Sequence, residues 1–422
     1  MNPLRTVPIP EIFVLWHPDC AIGEKLARAA YAWLRPGNGL GPQVYYRSLP
    51  APEAPRKGLP PALPGEARGN TYDQKRKISN LQIVLPLIDE HMVADPSWRH
   101  WIWEISNPNA STVQRIIIPV ALDATAYNIP AALRELNFLR PAGLPLSGED
   151  PTESAFERVA RSFLKQLTEA LCQLMLSRSV GNTALPNQPA SSYGLLPKVT
   201  IFLSHAKLDG TLPARRLRDY IYSQTQLAAF YDENDIAYGA LFAKVLQNDL
   251  NSPGTAALIA IRSERYAGRP WCRREVSLFR RPRQEIHSTG GAERWRLYPT
   301  VVVEAMEGGQ MSAGIPEFGN SSIIRWSDAS KDLEELIVTT VLRDAMLSTF
   351  HSAMGASIPV KPNQIVLNWL PDPTTLQCIL SVRASTEIDI VHPGRGLSSL
   401  ELEILSDFFP NLTFHSFEEV LL

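Results

Sequence analysis

The sequence predicts an α/β protein made of two doubly wound domains, each a parallel sheet covered by helices on both faces, followed by a small α+β C-terminal extension. Three observations predict it. Strand-like and helix-like segments alternate along the chain, and the same coarse order occurs twice. The strand-like runs are continuously apolar rather than alternating, which is the pattern of strands buried on both faces. The 422 residues leave room for two to four domains at roughly 100 to 200 residues each.

The first copy opens on Ile12-Phe13-Val14-Leu15-Trp16, an apolar run that ends at His17-Pro18. Leu26, Ala29, Ala30 and Trp33 recur at helical spacing until Pro36-Gly37 stops them, and Val44-Tyr45-Tyr46 gives a second strand. Six prolines between Pro50 and Pro64 mark a long loop, because a proline ring forbids a regular ladder. Residues 82–88 read as a third strand, Pro96-Ser97-Trp98 starts a helix, and Ile116-Ile117-Ile118 is a fourth strand. Val159, Phe163, Leu167, Leu171 and Leu174 form the stripe of a long closing helix.

This copy spans 1–176, and 177–197 has the Ser, Asn, Pro and Gly composition of a linker. The second copy spans 198–347. It has strands at 199–203, 228–231, 256–261 and 300–303, and helical faces at Leu212 to Ile221, Phe242 to Leu250 and Trp271 to Phe279. An amphipathic segment runs from Leu333 to Leu347. The extension, 348–422, holds strand-like runs at 365–367, 378–382 and 388–391 and a helix-like run from Leu400 to Phe409.

Lys and Arg number 41 against 43 Asp and Glu, and a net charge of −2 removes the broad electrostatic footprint of a nucleic-acid binder. The four cysteines, at 20, 172, 272 and 378, form no CxxC pair and imply neither a zinc site nor a disulfide framework. No stretch approaches the roughly 18 to 20 apolar residues that span a bilayer, and no leader peptide is read, so the expectation is a cytoplasmic protein with free thiols, no membrane partner and no metal or tightly held cofactor.

The second copy carries three strings in order: Phe202-Leu203-Ser204-His205-Ala206-Lys207-Leu208-Asp209; Phe230-Tyr231-Asp232 through Gly239 to Phe242; and Ser263, Tyr266 and Trp271-Cys272-Arg273-Arg274-Glu275. Together they resemble the boxes of a bacterial TIR (Toll/interleukin-1 receptor) domain over residues 198 to 330, about a third of the chain. The resemblance implies a flavodoxin-like fold. In its enzymatic members it implies cleavage of the nicotinamide-ribose bond of NAD, a substrate here, by a Glu at the place of Glu275. The match carries over Ser204, His205, Asp209, Asp232, Gly239 and Phe242 residue by residue, and the substrate-binding positions expected from it are Ser204, His205, Asp232, Gly239, Phe242 and Trp271, with Tyr231 as an aromatic that can stack on a ring. The family further implies assembly through TIR domains and a role in antiphage defence or signalling; a separate expectation is that the tail or the first domain senses an activating protein or nucleotide signal.

The chemistry is consistent with the residue types. Residues i and i+4 share a helix face, so Trp271 and Glu275 can border one cleft beside the carboxyl ends of the strands. Breaking an N-glycosidic bond builds positive charge on the ribose, and a carboxylate beneath it stabilises that charge. Nicotinamide is already a cationic leaving group and needs no general acid. Plainer readings stand beside these: Tyr231 as a half-buried core residue, Asp232 and Asp209 as loop or helix caps, and Glu275 as an exposed carboxylate paired with Arg273, Arg274 or Arg280.

In the first copy, aligning Pro96-Ser97-Trp98 on Arg269-Pro270-Trp271 puts Ile102 where Glu275 stands, and no Ser-His-x-x-x-Asp string follows its first strand. It is expected to be a degenerate TIR-like domain used for packing or assembly, with Trp98, Trp101 and Trp103 as core or as interface anchors. Arg215, Arg216 and Arg218, and the group Arg273, Arg274, Arg280, Arg281 and Arg283, read either as solvated faces or as anion contacts. The alternative from another class is a non-enzymatic TIR scaffold that mediates homotypic assembly.

Overall fold

The structure is a computed structural model. It describes residues 9–35, 41–48, 59–64, 81–106, 114–134, 136–144, 152–179, 199–231, 255–285, 293–306, 314–330, 332–359, 361, 363–380, 387–394 and 397–421. Pro8–Ala170 gather into one compact unit, and Leu196–Leu422 with Leu171–Gly181 gather into another. Among the described residues no helix is long and apolar enough to cross a membrane.

The first unit is built on β1 (Pro10–Trp16), β2 (Gln43–Arg47), β3 (Leu81–Ile88), β4 (Gln114–Ile117) and β5 (Val120–Ala121). All are parallel, in the order β2-β1-β3-β4, with β5 pairing β3 beyond the end of β4. Every residue of β1 and β3 is buried, as continuous apolar runs require. Helices α1 (Gly23–Leu34), α2 (Glu90–Ala94), α3 (Pro96–Ser106), α4 (Ala131–Arg134) and α5 (Glu153–Ser179) connect and close it. Val159, Phe163 and Leu167 of α5 are fully buried, and Trp33 Nε1 donates to Thr168 Oγ1 at 2.9 Å. Trp98 and Trp101 pack edge to face in the core at 5.5 Å, whereas Trp103 is exposed and stacks on His100.

The second unit begins with β6 (Thr200–His205), α6 (Thr211–Gln224), β7 (Ala228–Tyr231), β8 (Thr255–Arg262), α7 (Pro270–Arg280), β11 (Thr300–Glu304), β12 (Ser322–Arg325) and α8 (Leu333–Ser357). The sheet runs β7-β6-β8-β11-β12 and every pairing is parallel. In chain order this is 2-1-3-4-5, the flavodoxin-like winding.

A further sheet, in the order β15-β14-β13-β10-β9, accounts for the tail. It takes β13 (Gln364–Leu367), β14 (Ile388–His392) and β15 (Leu412–Ser416) from the tail, and β9 (Arg283–Glu285) and β10 (Glu293–Arg296) from the chain between α7 and β11. Only the β9 pairing is antiparallel. Helices α9 (Pro373–Leu380), α10 (Ser399–Phe408) and α11 (Phe417–Leu421) complete it. The extension thus contributes three parallel strands to a sheet of its own order, and α8 runs past residue 347.

One expected strand is a helix. The apolar run at 378–382 enters α9 because Asp372 caps that helix: Oδ1 accepts from Thr375 N at 3.0 Å and Oδ2 from Thr375 Oγ1 at 2.7 Å. Pro373 occupies the first turn, where its missing N–H costs nothing, and Leu376 and Ile379 are buried while Cys378 faces outward. Residues 381–382 lie outside the described residues, as do the helical face from Phe242 to Leu250, nearly all of 177–197 and much of the proline loop.

Gly23 opens α1 against Trp16. A Cβ there would stand 2.5 Å from Trp16 Cδ1 and 2.8 Å from Trp16 Cβ, the fixed base of a buried side chain. Gly23→Ala is therefore expected to destabilise the first unit by about 1–3 kcal/mol in denaturant unfolding.

Candidate functional site

The polar groups of the middle sheet collect at the carboxyl ends of β6 and β8. Ser204 is the penultimate residue of β6 and is buried. Its Oγ lies 2.6 Å from Tyr266 Oη, in the turn between β8 and α7, and it donates to Glu275 Oε2 in the second turn of α7. The single Ser204 hydroxyl proton goes to the carboxylate, so the Tyr266 hydroxyl is the donor to Ser204 Oγ. The chain Tyr266 to Ser204 to Glu275 thereby fixes one carboxylate oxygen.

Glu275 is 7% exposed. It shares the inward face of α7 with Cys272, Val276 and Phe279, so it is not the exposed carboxylate of the plainer reading. Burial pushes the Tyr266 phenol well above its ordinary pKa, the Glu275 charge adds to that, and the hydrogen bond with Ser204 opposes it.

Two further contacts tie the loops. Asp209 Oδ1 accepts from Ser263 Oγ at 2.7 Å and Oδ2 accepts from Arg265 N at 2.9 Å, so the carboxylate after β6 holds the turn that carries Tyr266. Cys272 Sγ donates to the His205 carbonyl at 3.4 Å. Gly210 precedes α6 with no room for a side chain: a Cβ would meet Ala206 O at 3.1 Å and His205 Cβ at 3.2 Å.

The structure thus brings together Ser204 and Glu275 of the expected residues. His205 is buried at the end of β6. Trp271, in the first turn of α7, is 51% exposed, with the Arg274 guanidinium 5.4 Å from its ring centre. Tyr231 ends β7. Asp232, Gly239 and Phe242 lie outside the described residues. The sequence named Tyr266 only as part of a string and weighed Asp209 between a family-matched position and a loop or helix cap, and the hydroxyl bridge through Ser204 has no signal in spacing alone.

The first unit differs at the matching helix by one residue from the sequence alignment. Helices α3 and α7 both begin with proline and both have 11 residues, so Trp101, and not Ile102, stands where Glu275 does. The buried faces agree: Trp98, Trp101, Ile102 and Ile105 against Cys272, Glu275, Val276 and Phe279. Either way the position holds no carboxylate, and Glu104 turns to His100 at 3.3 Å.

The carboxyl edge of that unit has its own polar group, which sequence reading missed. His17 is stacked on His91, with ring centres 5.8 Å apart, and its Nε2 lies 3.5 Å from Asp95 Oδ2. Asp89 caps α2 by accepting from Met92 N, and its other oxygen lies 2.9 Å from His91 Nδ1, holding that imidazole above its ordinary pKa. Among the described residues, no group of three or more His, Cys, Asp or Glu is placed to hold a metal ion.

No family model and no curated protein matches this sequence. Among solved structures, tagatose-6-phosphate ketose/aldose isomerase from Escherichia coli aligns at 14% identity over 81% of this chain and 83% of its own, with a TM-score of 0.21. A chain assigned as the same kind of isomerase, from Clostridium novyi NT, aligns at 10% identity over 82% and 79%, with a TM-score of 0.18. Likenesses this slight carry no argument; the winding of the sheets establishes the α/β fold.

Ser204→Ala strands a phenol and a carboxylate in a buried site and is expected to cost about 1–3 kcal/mol of stability. The raised Tyr266 pKa has a definite sign. Folded protein holds the proton that unfolded protein releases above pH of about 10, so the contribution is complete below that pH and is lost as pH rises beyond it. Unfolding curves at pH of about 9 to 11 should show this alkaline loss in wild type and a smaller one in Tyr266→Phe.

Proposed function

We propose that the middle domain is a TIR-type NAD glycohydrolase in which Glu275 stabilises the ribosyl cation formed when the nicotinamide-ribose bond breaks. The supporting observation is the Tyr266-Ser204-Glu275 chain at the carboxyl edge of a 2-1-3-4-5 parallel sheet, where open α/β folds bind ligands. Nicotinamide leaves with the bonding electron pair as a neutral molecule. The ribose carbon it leaves becomes electron-poor, and a water or a hydroxyl of the same ligand then adds to it and gives up a proton. The first acceptor yields linear ADP-ribose and the second a cyclised one. A nearly dry carboxylate attracts that cation more strongly than a solvated one, and a serine hydroxyl that already holds one oxygen spares reorganisation during the reaction.

On this reading NAD is substrate and not a resident cofactor. The enzyme is cytoplasmic, works in antiphage defence or signalling, and is switched on by self-association of TIR domains or by an activating protein or nucleotide. The degenerate first domain serves packing or assembly.

A second reading, a non-enzymatic scaffold, is favoured by a different observation. Trp271, Leu208 and Leu212 are large apolar residues left exposed in the segments that follow β6 and β8. Exposed apolar groups beside polar ones are what an assembly surface needs.

The deciding experiment follows nicotinamide release from NAD at high protein concentration with a crowding agent. Wild type is expected to release nicotinamide, Glu275→Gln to fall by about 100-fold or more, and Ser204→Ala to fall by a smaller factor with folding intact. Equal release by Glu275→Gln and wild type would sink the catalytic assignment. Self-association of wild type without any release would favour the scaffold.

A further inference from the structure

The carboxyl edge of the third sheet carries an unusual concentration of arginine. β10 ends at Arg296, and β13 and β14 run parallel beside it and end at the same edge. β9 runs the other way and begins there with Arg283, which sits directly opposite Arg296. Helix α7 ends at Arg280 and is followed by the exposed Arg281. Arg280 feels the charge of Asp372 in the loop after β13, which puts the end of α7 at this edge as well. The guanidinium carbons of Arg283 and Arg296 lie 5.1 and 4.7 Å from the ring centre of buried Tyr298.

Three of these charges are poorly compensated. Among the described residues Arg280, Arg281 and Arg296 make no ion pair, and the Nε atoms of Arg280 and Arg296 are buried without a hydrogen-bond partner. Residues 286–292, which join β9 to β10, contain no Asp or Glu. Like charges set directly opposite on paired strands destabilise the pair. Burial depresses the pKa of Arg280 and of Arg283, and Arg296 and Arg281 press Arg283 further the same way.

Structural roles explain part of this. Arg280 complements the negative end of α7, and the stacked pair gains from Tyr298. Neither role provides acceptors for two buried Nε–H groups, or a reason to pair Arg283 with Arg296. Arg294, two residues from Arg296, shows the contrast: its Nε and Nη2 donate to the carbonyls of Gly355 and Ile358, both at 3.1 Å, at the end of α8.

We propose that this edge is a binding site for a small-molecule di- or polyphosphate, held by Arg280, Arg283 and Arg296. Open α/β sheets bind ligands outside the carboxyl ends of their strands, and Arg296 stands at that end of β10 with Arg283 directly opposite it. Guanidinium forks match phosphate oxygens in pairs. Three such forks side by side suit a ligand that carries more negative charge than a single phosphate. The site is distinct from that of Glu275, which lies five residues earlier on α7, about 7.5 Å along the helix axis, so its test does not depend on NAD cleavage.

The probe is inorganic pyrophosphate added to the full chain at constant ionic strength, read by calorimetry and by thermal unfolding. Wild type should bind saturably and gain Tm beyond a sodium chloride control. Arg283→Gln and Arg296→Gln should each bind about tenfold more weakly or worse, and ligand-free Arg296→Gln should unfold no earlier than wild type because a repulsion is relieved. Arg281→Gln, at an exposed position that does not threaten folding, should weaken binding by a smaller factor. The proposal fails if wild type shows no saturable response, if all three variants bind as wild type does, or if single-stranded DNA binds and pyrophosphate does not.

Discussion

A parallel strand covered on both faces has nowhere to put a polar side chain except near its ends, and this constraint organises the whole molecule. β1, β3 and β8 are apolar almost throughout, and the groups capable of chemistry appear where the strands stop and the connecting turns begin. Ser204 shows the limit of what is tolerated inside. It is buried within a strand, and its one hydroxyl is engaged on both sides by Tyr266 and Glu275. Gln82 in β3 obeys the same rule, donating to the Pro64 carbonyl and accepting from Arg115.

Duplication of the winding did not duplicate the chemistry. The helices α3 and α7 have the same length, the same proline start and the same buried positions, yet one places Trp101 and the other Glu275 at the second of these. A tryptophan there is solved by packing, edge to face with Trp98. A carboxylate there is tolerated only with a donor, and Ser204 provides it. A buried glutamate with a dedicated hydroxyl is thus a cost the second copy carries and the first avoids, which makes it a better functional indicator than the sheet around it.

Much of the architecture was legible because apolar period is a strong signal over long runs. Most strands of the first two sheets and the stripe of α5 follow from it, whereas β5 and β12, of two and four residues, carry too short a run to be read. The third sheet was harder to read for physical reasons. β9 and β10 are only three and four residues long, rich in arginine, and carry no apolar run. The run at 378–382 had the right composition for a strand, and the Asp372 cap overrode it. The site was legible where residue type limits the chemistry, as at Glu275, and illegible where it depends on contacts across 62 and 71 residues, as in the Tyr266-Ser204-Glu275 chain. The one-residue shift between α3 and α7 was hidden because Trp98 and Trp271 invite superposition, although one is buried and the other exposed.

All three sheets gather polar groups at their carboxyl edges, and what separates them is how far those groups satisfy one another. In the first, Asp89 and Asp95 each cap a helix and each meet a histidine, so the acids and bases answer one another locally. In the second, Asp209 is consumed in fastening two loops, and the hydroxyl chain leads to one nearly dry carboxylate. In the third, Arg283 faces Arg296 across a strand pair, and among the described residues two buried arginine N–H groups find no acceptor. A closed network of opposite charges stabilises a fold and asks nothing of a ligand. A concentration of one sign, held half-buried against its own repulsion, is stable only with something else to answer it, and that imbalance rather than the presence of polar residues distinguishes a binding edge from a structural one.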